Sequence, residues 1–263
     1  MAATRTFCAA VLGTAVAVAA LTGCGGGGPD SDGPLVVPAA TTAETGAFAG
    51  ESADQVLSRA GAAMDAATSV TVAIRVADDE DGDVRVAAAL TATGKCAASI
   101  ENGGEDPVQV VGMHGTYYLK GDASYWQDQG GDEGDVLADA FAGKWVKLPS
   151  GEEDAVGDLD GFCTMDTLVA AVVDGDTVTD KEAVTTRYGT SVVPLRERDE
   201  DGTANVMYVA ADGAPYIVAL VSDDGEASIH FSDFDKPLEI SAPPAGDTVD
   251  LGSVGGDAPH LSV

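Results

Sequence analysis

Basic residues are scarce in this chain: 13 Lys and Arg stand against 44 Asp and Glu, a formal net charge of −31. Phosphate binding needs Lys and Arg, so nucleic acid is excluded as an expected partner. The same imbalance opposes electrostatic docking onto anionic lipid head groups. An acidic surface keeps a protein soluble in a salty or acidic exterior; this reading is preferred to a specific cationic ligand. Aromatics make up only 5% of the chain, and the 45% apolar fraction is largely Ala and Val. A core must then rest on β-branched strands and close helix contacts. Signatures of catalysis are missing as well. There is no Gly-x-Ser-x-Gly elbow. Of the three histidines, His114 falls in a turn, His230 in a strand pattern and His260 in the terminal tail. Neither a Cys-x-x-Cys pair nor a His pair at ligand spacing occurs. Glu197-x-Asp199-x-Asp201-Gly202 imitates the start of a calcium loop, but Tyr208 stands at the twelfth position, where a bidentate Glu belongs. A hairpin turn is the better reading there, with weak calcium binding as the alternative at it and at residues 78–83. No phosphate-cradling glycine loop opens a helix, and carboxylates are too abundant for a catalytic pair to be picked out by spacing. No enzyme, no cofactor and no metal are expected.

Long apolar runs are confined to the N-terminus. Arg5 precedes an apolar stretch over residues 7–21, shorter than the roughly 20 residues a transmembrane helix needs. It fits the apolar region of a secretory signal peptide and ends in small residues. Leu21-Thr22-Gly23-Cys24 resembles the bacterial lipobox. In signals of that type the Cys is diacylated and the chain is cut before it. The alternative is an ordinary signal cut nearby, with Cys24 incidental. Residues 1–23 are therefore expected as signal peptide and residues 24–51 as a lipidated, flexible tether beginning with Gly25–Gly28. Two or more acyl chains hold firmly where one holds marginally, at about 0.8 kcal/mol per buried CH₂. The expected location is the outer face of the cell membrane, the membrane being reached through the covalent lipid. Loss of Arg5 with the signal leaves 12 basic against 44 acidic residues, a net of −32.

Of the four cysteines, Cys8 leaves with the signal and Cys24 is lipidated, so Cys96 and Cys163 remain in a compartment that permits disulfides. Paired, they close a loop of about 70 residues, a contribution of about 4 kcal/mol by chain entropy. Two separate buried thiols are the alternative.

The rest of the chain carries alternating secondary-structure signals. Ser52 and Gln55 form a capping-box pattern ahead of Val56, Leu57, Ala60, Met64 and Ala67 at helical spacing, predicting a helix over 53–67. Val70, Val72, Ile74 and Val76 alternate with Thr71, Ala73, Arg75 and Ala77, as do Val84, Val86, Ala88 and Leu90 with their neighbours. Residues 108–113 and 116–120 read as a hairpin about His114-Gly115. Residues 123–127 read as one helical turn, and residues 136–142 and 159–173 as helices. The longer of these has Phe162, Met165, Leu168, Val169 and Val172 on its apolar side. Strands return over 177–186, 190–198, 203–210, 216–223 and 227–234, joined by acidic, glycine-bearing turns. Pro237, Pro243 and Pro244 are read as the end of regular structure, with a disordered tail over 252–263. Short links between successive strands imply antiparallel pairing. The expected class is α+β, one large antiparallel sheet with helices on one face, in a single domain over 52–251.

Several stretches, in this order, resemble actinobacterial lipoproteins of the streptomycete type: residues 66–72 (AATSVTV), 110–126 (VVGMHGTYYLKGDASYW), 143–149 (GKWVKLP), 208–210 (YVA) with 213–216 (GAPY), 231–234 (FSDF), 236–237 (KP) and 241–244 (SAPP). These are similar, more distantly, to the mycobacterial LppX and LprG group and to the LolA fold. The resemblance implies a sheet curved into a half-open β-barrel, helices across its concave face, and an apolar cavity between them that takes acyl chains of envelope lipids. No catalytic residue is implied. Val56, Leu57, Met64, Val72, Ile74, Val86, Leu90, Leu119, Phe162, Leu168, Val172 and Ile217 are the candidate lining residues, from the alternating strands and the apolar sides of the first and third helices. One departure stands out. Strand positions such as Ala87, Ala88 and Ala89 are small, which either widens a cavity or lets helices pack close and fill it. Trp126 and Trp145 are expected to clamp the helical insert onto the sheet edge, the alternative being a cavity mouth. The function expected is binding or carrying an acyl-bearing or other amphipathic molecule, by a monomer. The alternative is an envelope sensor or accessory interaction protein without a ligand cavity.

Overall fold

The computed structural model describes residues 46–77, 82–103, 105–148, 163–173, 177–198 and 204–254. Helix α1 (Ala53–Ala66) leads into a meander of β1 (Ser69–Val76), β2 (Val84–Thr91), β3 (Lys95–Asn102), β4 (Val108–Met113) and β5 (Thr116–Lys120). Helices α2 (Ala123–Gly130) and α3 (Gly134–Phe141) follow, then β6 (Trp145–Lys147) and α4 (Met165–Val173). The second half is β7 (Thr177–Lys181), β8 (Thr185–Arg187), β9 (Thr190–Arg198), β10 (Ala204–Ala210), β11 (Ile217–Ser222), β12 (Ala227–Ser232), β13 (Thr248–Asp250) and the short α5 (Leu251–Val254).

The strands make one sheet in the order β13-β6-β5-β4-β3-β2-β1-β12-β11-β10-β9-β7, with β8 paired to β9. The pairings are antiparallel save for the terminal pair, in which β13 runs parallel to β6. The two ends of the order, β13 and β7, belong to opposite edges, so the curved sheet is a half-open barrel with helices across its concave face.

Local chemistry sets the elements. Ser52 caps α1 as the pattern predicts: its Oγ accepts from the Gln55 N–H at 3.3 Å, and the Gln55 side chain accepts from the Ser52 N–H at 2.8 Å. Val56, Ala60 and Met64, one turn apart, are buried. Gly61 faces α4, where a Cβ would meet Val173 Cγ1 at 3.4 Å, an ordinary packing distance. Two hairpins use two-residue loops with positive φ at both positions, His114-Gly115 (52°, 79°) and Tyr188-Gly189 (52°, 77°), the geometry whose twist matches paired strands. His114 is thus a turn residue.

Strand register sorts side chains onto two faces. Val70 and Val72 of β1 stand opposite Leu90 and Ala88 of β2, which stand opposite Cys96 and Ala98 of β3, and the row continues through Val110, Leu119 and Val146. In the other direction it runs to Phe231. These residues, with Met207, Leu195 and Ile217, form one buried core with α1, α2, α3 and α4.

Several expectations need correction. The sequence reading passes over β3, because Cys96, Ala97, Ala98 and Ser99 lack the β-branched alternation that marks a strand; pairing on both sides makes it one. Residues 177–186 form two strands, not one. The three prolines do not end regular structure: after Pro244 the chain forms β13, whose Asp250 accepts from Lys147 Nζ at 2.8 Å, and then α5, which runs past residue 251. The helix expected over 159–173 begins at Met165, with Thr164 outside it; residues 159–162 lie outside the described residues. Cys24, the signal and tether over 1–45, and the tail over 255–263 lie outside them too. Among the described residues no helix is long and apolar enough to cross a membrane.

Candidate functional site

Cys96 of β3 is bonded to Cys163, just before α4, across 67 residues with Cα atoms 5.3 Å apart. The bridge ties the helix layer to the sheet centre. Gly112 of β4, the partner of Cys96 in register, leaves room for it. A Cβ at Gly112 would come within 2.7 Å of Cys96 Sγ, 2.8 Å of Tyr117 Cε1 and 3.1 Å of Cys163 Sγ.

The twelve candidate lining residues divide. Val56 and Ile217 have no exposed surface, Leu90, Leu119 and Met64 have 1%, Val72 has 2% and Val172 has 5%. A side chain facing a space wide enough for an acyl chain would present free surface to it; these are packed against their neighbours instead. Leu57, Ile74, Val86 and Leu168 are half-buried. Phe162 lies outside the described residues. Trp126 of α2 is fully buried, its ring meeting Tyr125 edge-on at 5.1 Å and Phe141 of α3 at 5.3 Å, so it joins the two helices of the insert. Burial pushes the Tyr125 hydroxyl up to about 12.

The opposite face of the sheet, on which none of the helices among the described residues packs, carries two open spaces. A groove of about 450 Å³ crosses β1, β2, β3 and β4, and Trp145 of β6 walls it. Its floor is Ala87 and Ala89 of β2 with Ala97 and Ser99 of β3, flanked by Thr71 and Val111. A second space of about 410 Å³ shares Ala87 and Ser99 with the first, so the two adjoin. This end is lined by Ala73, Arg75, Arg85, Glu101, Ser228 and His230, with Ile74 and Val86 at its margin.

Alternation builds the groove. Ala88 points to the helices while Ala87 and Ala89 point away from them, so a strand with small apolar residues on both faces leaves a shallow channel on the open one. Antiparallel sheets commonly turn polar residues to an uncovered face; β2 and β3 do so at their ends, with Arg85, Thr91, Lys95 and Glu101, but turn Ala87, Ala89 and Ala97 outward in their middle. The run 87–89 was the sequence signal, but its small residues belong to two faces. The sequence places Trp145 at a cavity mouth only as the alternative to packing, and it identifies neither Arg75 nor Arg85 as a site residue, since their convergence depends on strand register.

The ends of the groove differ. Trp145 is half-buried, with Lys120 Nζ 5.9 Å from its ring centroid. At the other end Arg75 and Arg85 stand opposite each other on paired strands, and both donate to Asp83 Oδ2, at 2.9 and 2.7 Å. The guanidinium of Arg75, and then that of Arg85, holds the Asp83 carboxyl below its ordinary value against partial desolvation. His230 meets Tyr188 edge-on at 4.8 Å, and Tyr188 meets Tyr208 at 5.4 Å, an aromatic group beside the basic end.

No protein-family model matches the chain, and no curated protein matches it. Solved structures do. LprF from Mycobacterium bovis is 15% identical over 73% of this chain and 96% of its own, with a TM-score of 0.49. The lipoprotein LppX of Mycobacterium tuberculosis is 16% identical over 71% of this chain and 98% of its own, with a TM-score of 0.46. A LolA superfamily protein from Nitrosomonas europaea is 12% identical over 74% and 96%, with a TM-score of 0.30.

Proposed function

We propose that this chain is an extracytoplasmic lipoprotein, held on the outer face of the cell membrane by acyl chains on Cys24, that binds an amphipathic, acyl-bearing molecule as a monomer. In this reading residues 1–23 are the signal and residues 24–45 the tether; residues 46–51, expected as tether, join the binding domain, since Phe48 is buried in its core and Lys181 Nζ donates to the Phe48 and Glu51 carbonyls, and the domain runs on through α5 to Val254. The observation that carries the binding reading is the pair of adjoining spaces between Trp145 and Arg75, one largely apolar and one with a charged end, the shape of an amphiphile. Each methylene it removes from water contributes about 0.8 kcal/mol. Binding is placed on the helix-free face because residues expected to line an inner cavity, such as Val56, Leu90 and Ile217, are packed to closure.

Native mass spectrometry of the gently extracted protein should show a bound species beyond the covalent lipid, displaced by a fatty-acid probe. An empty protein indifferent to such probes overturns the binding reading. The anchor is tested separately. Cys24→Ser should move the protein from the membrane fraction to the medium and abolish the lipid adduct in intact mass; unchanged membrane retention defeats it.

A second reading is favoured by the openness of the same face. An interaction protein would use it to dock a partner protein, because an uncovered apolar patch of this kind marks interfaces as well as ligand grooves. A photo-crosslinker at Val111 capturing one dominant envelope protein, with no small ligand in native mass spectra, would favour it.

A further inference from the structure

We infer that the groove takes its ligand in one direction, with an anionic carboxylate head between Arg75 and Arg85 and the acyl chain running over Ala87 and Ala97 toward Trp145. The inference rests on the binding reading above and adds the ligand's charge and orientation.

Charge is the first ground. In a chain of net −31, two of the 13 basic residues stand side by side at one end of an apolar channel. An arginine has five N–H donors in a fixed fork. Asp83 takes one nitrogen of each, so most of the donors remain for a ligand. The two side chains are about half exposed, at 49% and 52%, whereas Asp83 is 29% exposed. Asp83 is not among the residues lining the space; it braces the pair from the side and holds both forks in place. Glu101, opposite Arg85 in register, and His230 complete the charged and titratable lining. A cationic head would have to lie beside two guanidinium groups, with Glu101 in the lining and Asp83 already engaged by both arginines. A carboxylate meets the forks bidentately and uses their donors.

Length and polarity are the second. The strands β4-β3-β2-β1-β12 lie about 4.8 Å apart, so the channel from Val111 to His230 spans about 19 Å. The floor of its apolar part is the unbranched side chains of Ala87, Ala89 and Ala97, with the Ser99 hydroxyl beside them. That suits an unbranched chain lying flat, and the indole of Trp145 closes the far end.

The test uses the full mature chain carrying Cys24→Ser, which removes only the acyl chains, with palmitate, hexadecanol and hexadecyltrimethylammonium as probes in calorimetric titrations. Palmitate should bind about tenfold or more tighter than hexadecanol, the size expected of charge-assisted hydrogen bonds, and the ammonium probe more weakly than either. Arg75→Gln with Arg85→Gln should bring palmitate down to the level of hexadecanol and leave hexadecanol unchanged, while the double Lys variant retains part of the preference. Trp145→Ala should weaken palmitate and hexadecanol alike. Equal binding of palmitate and hexadecanol by the chain with both arginines overturns the orientation and leaves the binding reading standing. No binding of any probe overturns both. A double Gln variant that loses both ligands equally counts against the head-group role, because an anion site must discriminate between them.

Discussion

At the scale of single residues, close approach and local hydrogen bonding decide what can be changed. Gly112 lies where a methyl group would press on both sulfurs of the disulfide and on Tyr117. Gly112→Ala should cost about 1–3 kcal/mol, the range for overpacking a filled core, read as a lower denaturant midpoint with unchanged slope. Asp235 is a different case. Its carboxylate accepts from the Thr68 N–H at 2.8 Å, the Thr68 hydroxyl at 2.9 Å and the Tyr216 hydroxyl at 2.5 Å. The Thr68 backbone bond, then the Tyr216 hydroxyl, lowers its pKa from the ordinary 3.8. A carboxylate whose folded value is depressed contributes stability that is complete above its unfolded value and is lost as pH falls through the folded one. Stability should therefore decline below about pH 4. Asp235→Asn should flatten that part of the profile while lowering stability at neutral pH; thermal melts between pH 2 and 7 check both.

At the scale of elements, β3 and the segment before α4 carry the tightest long-range constraint. Opening the Cys96–Cys163 bond frees a loop of 67 residues, which corresponds to about 4 kcal/mol on the chain-entropy estimate. Reductant, or the Cys96→Ala and Cys163→Ala pair, should lower unfolding stability by that order in chemical denaturation and leave far-ultraviolet circular dichroism near native.

Elements also show how far the sequence could be read. The helix α1 was legible because a capping box and a four-residue spacing coincide. Strands β1, β2 and β9–β12 were legible because Val, Ile and Thr alternate between acidic turns. The strand β3 was not, since Ala97, Ala98 and Ser99 have no period to detect and gain their conformation from β2 and β4. The short β6 and β13 were not, since three residues carry no pattern and the two strands find each other across about a hundred positions. The groove inherits this blindness: it consists of what Ala87, Ala97 and Arg75 do not cover, and side chains that leave space write no motif. Cys96 and Cys163 were legible by elimination, leaving bonded and separate thiols open until the geometry paired them.

For the whole molecule, the described residues give the sheet unlike faces, one packed with helices and one open beside two arginines, in a chain with a net charge of −31. One edge is finished by the chain's own last strand. The parallel β13 lies along β6, tied by Lys147 and Asp250, and it occupies main-chain groups that an unprotected border strand would offer to any extended peptide. A chain stopped before Thr248 should thus keep its core and its disulfide yet self-associate, visible as a dimer or larger species in analytical ultracentrifugation. A truncated chain that stays monodisperse would show the border to be harmless. If it does associate, the segment from Thr248 acts as a stopper on β6, and its removal by proteolysis would uncover an adhesive border.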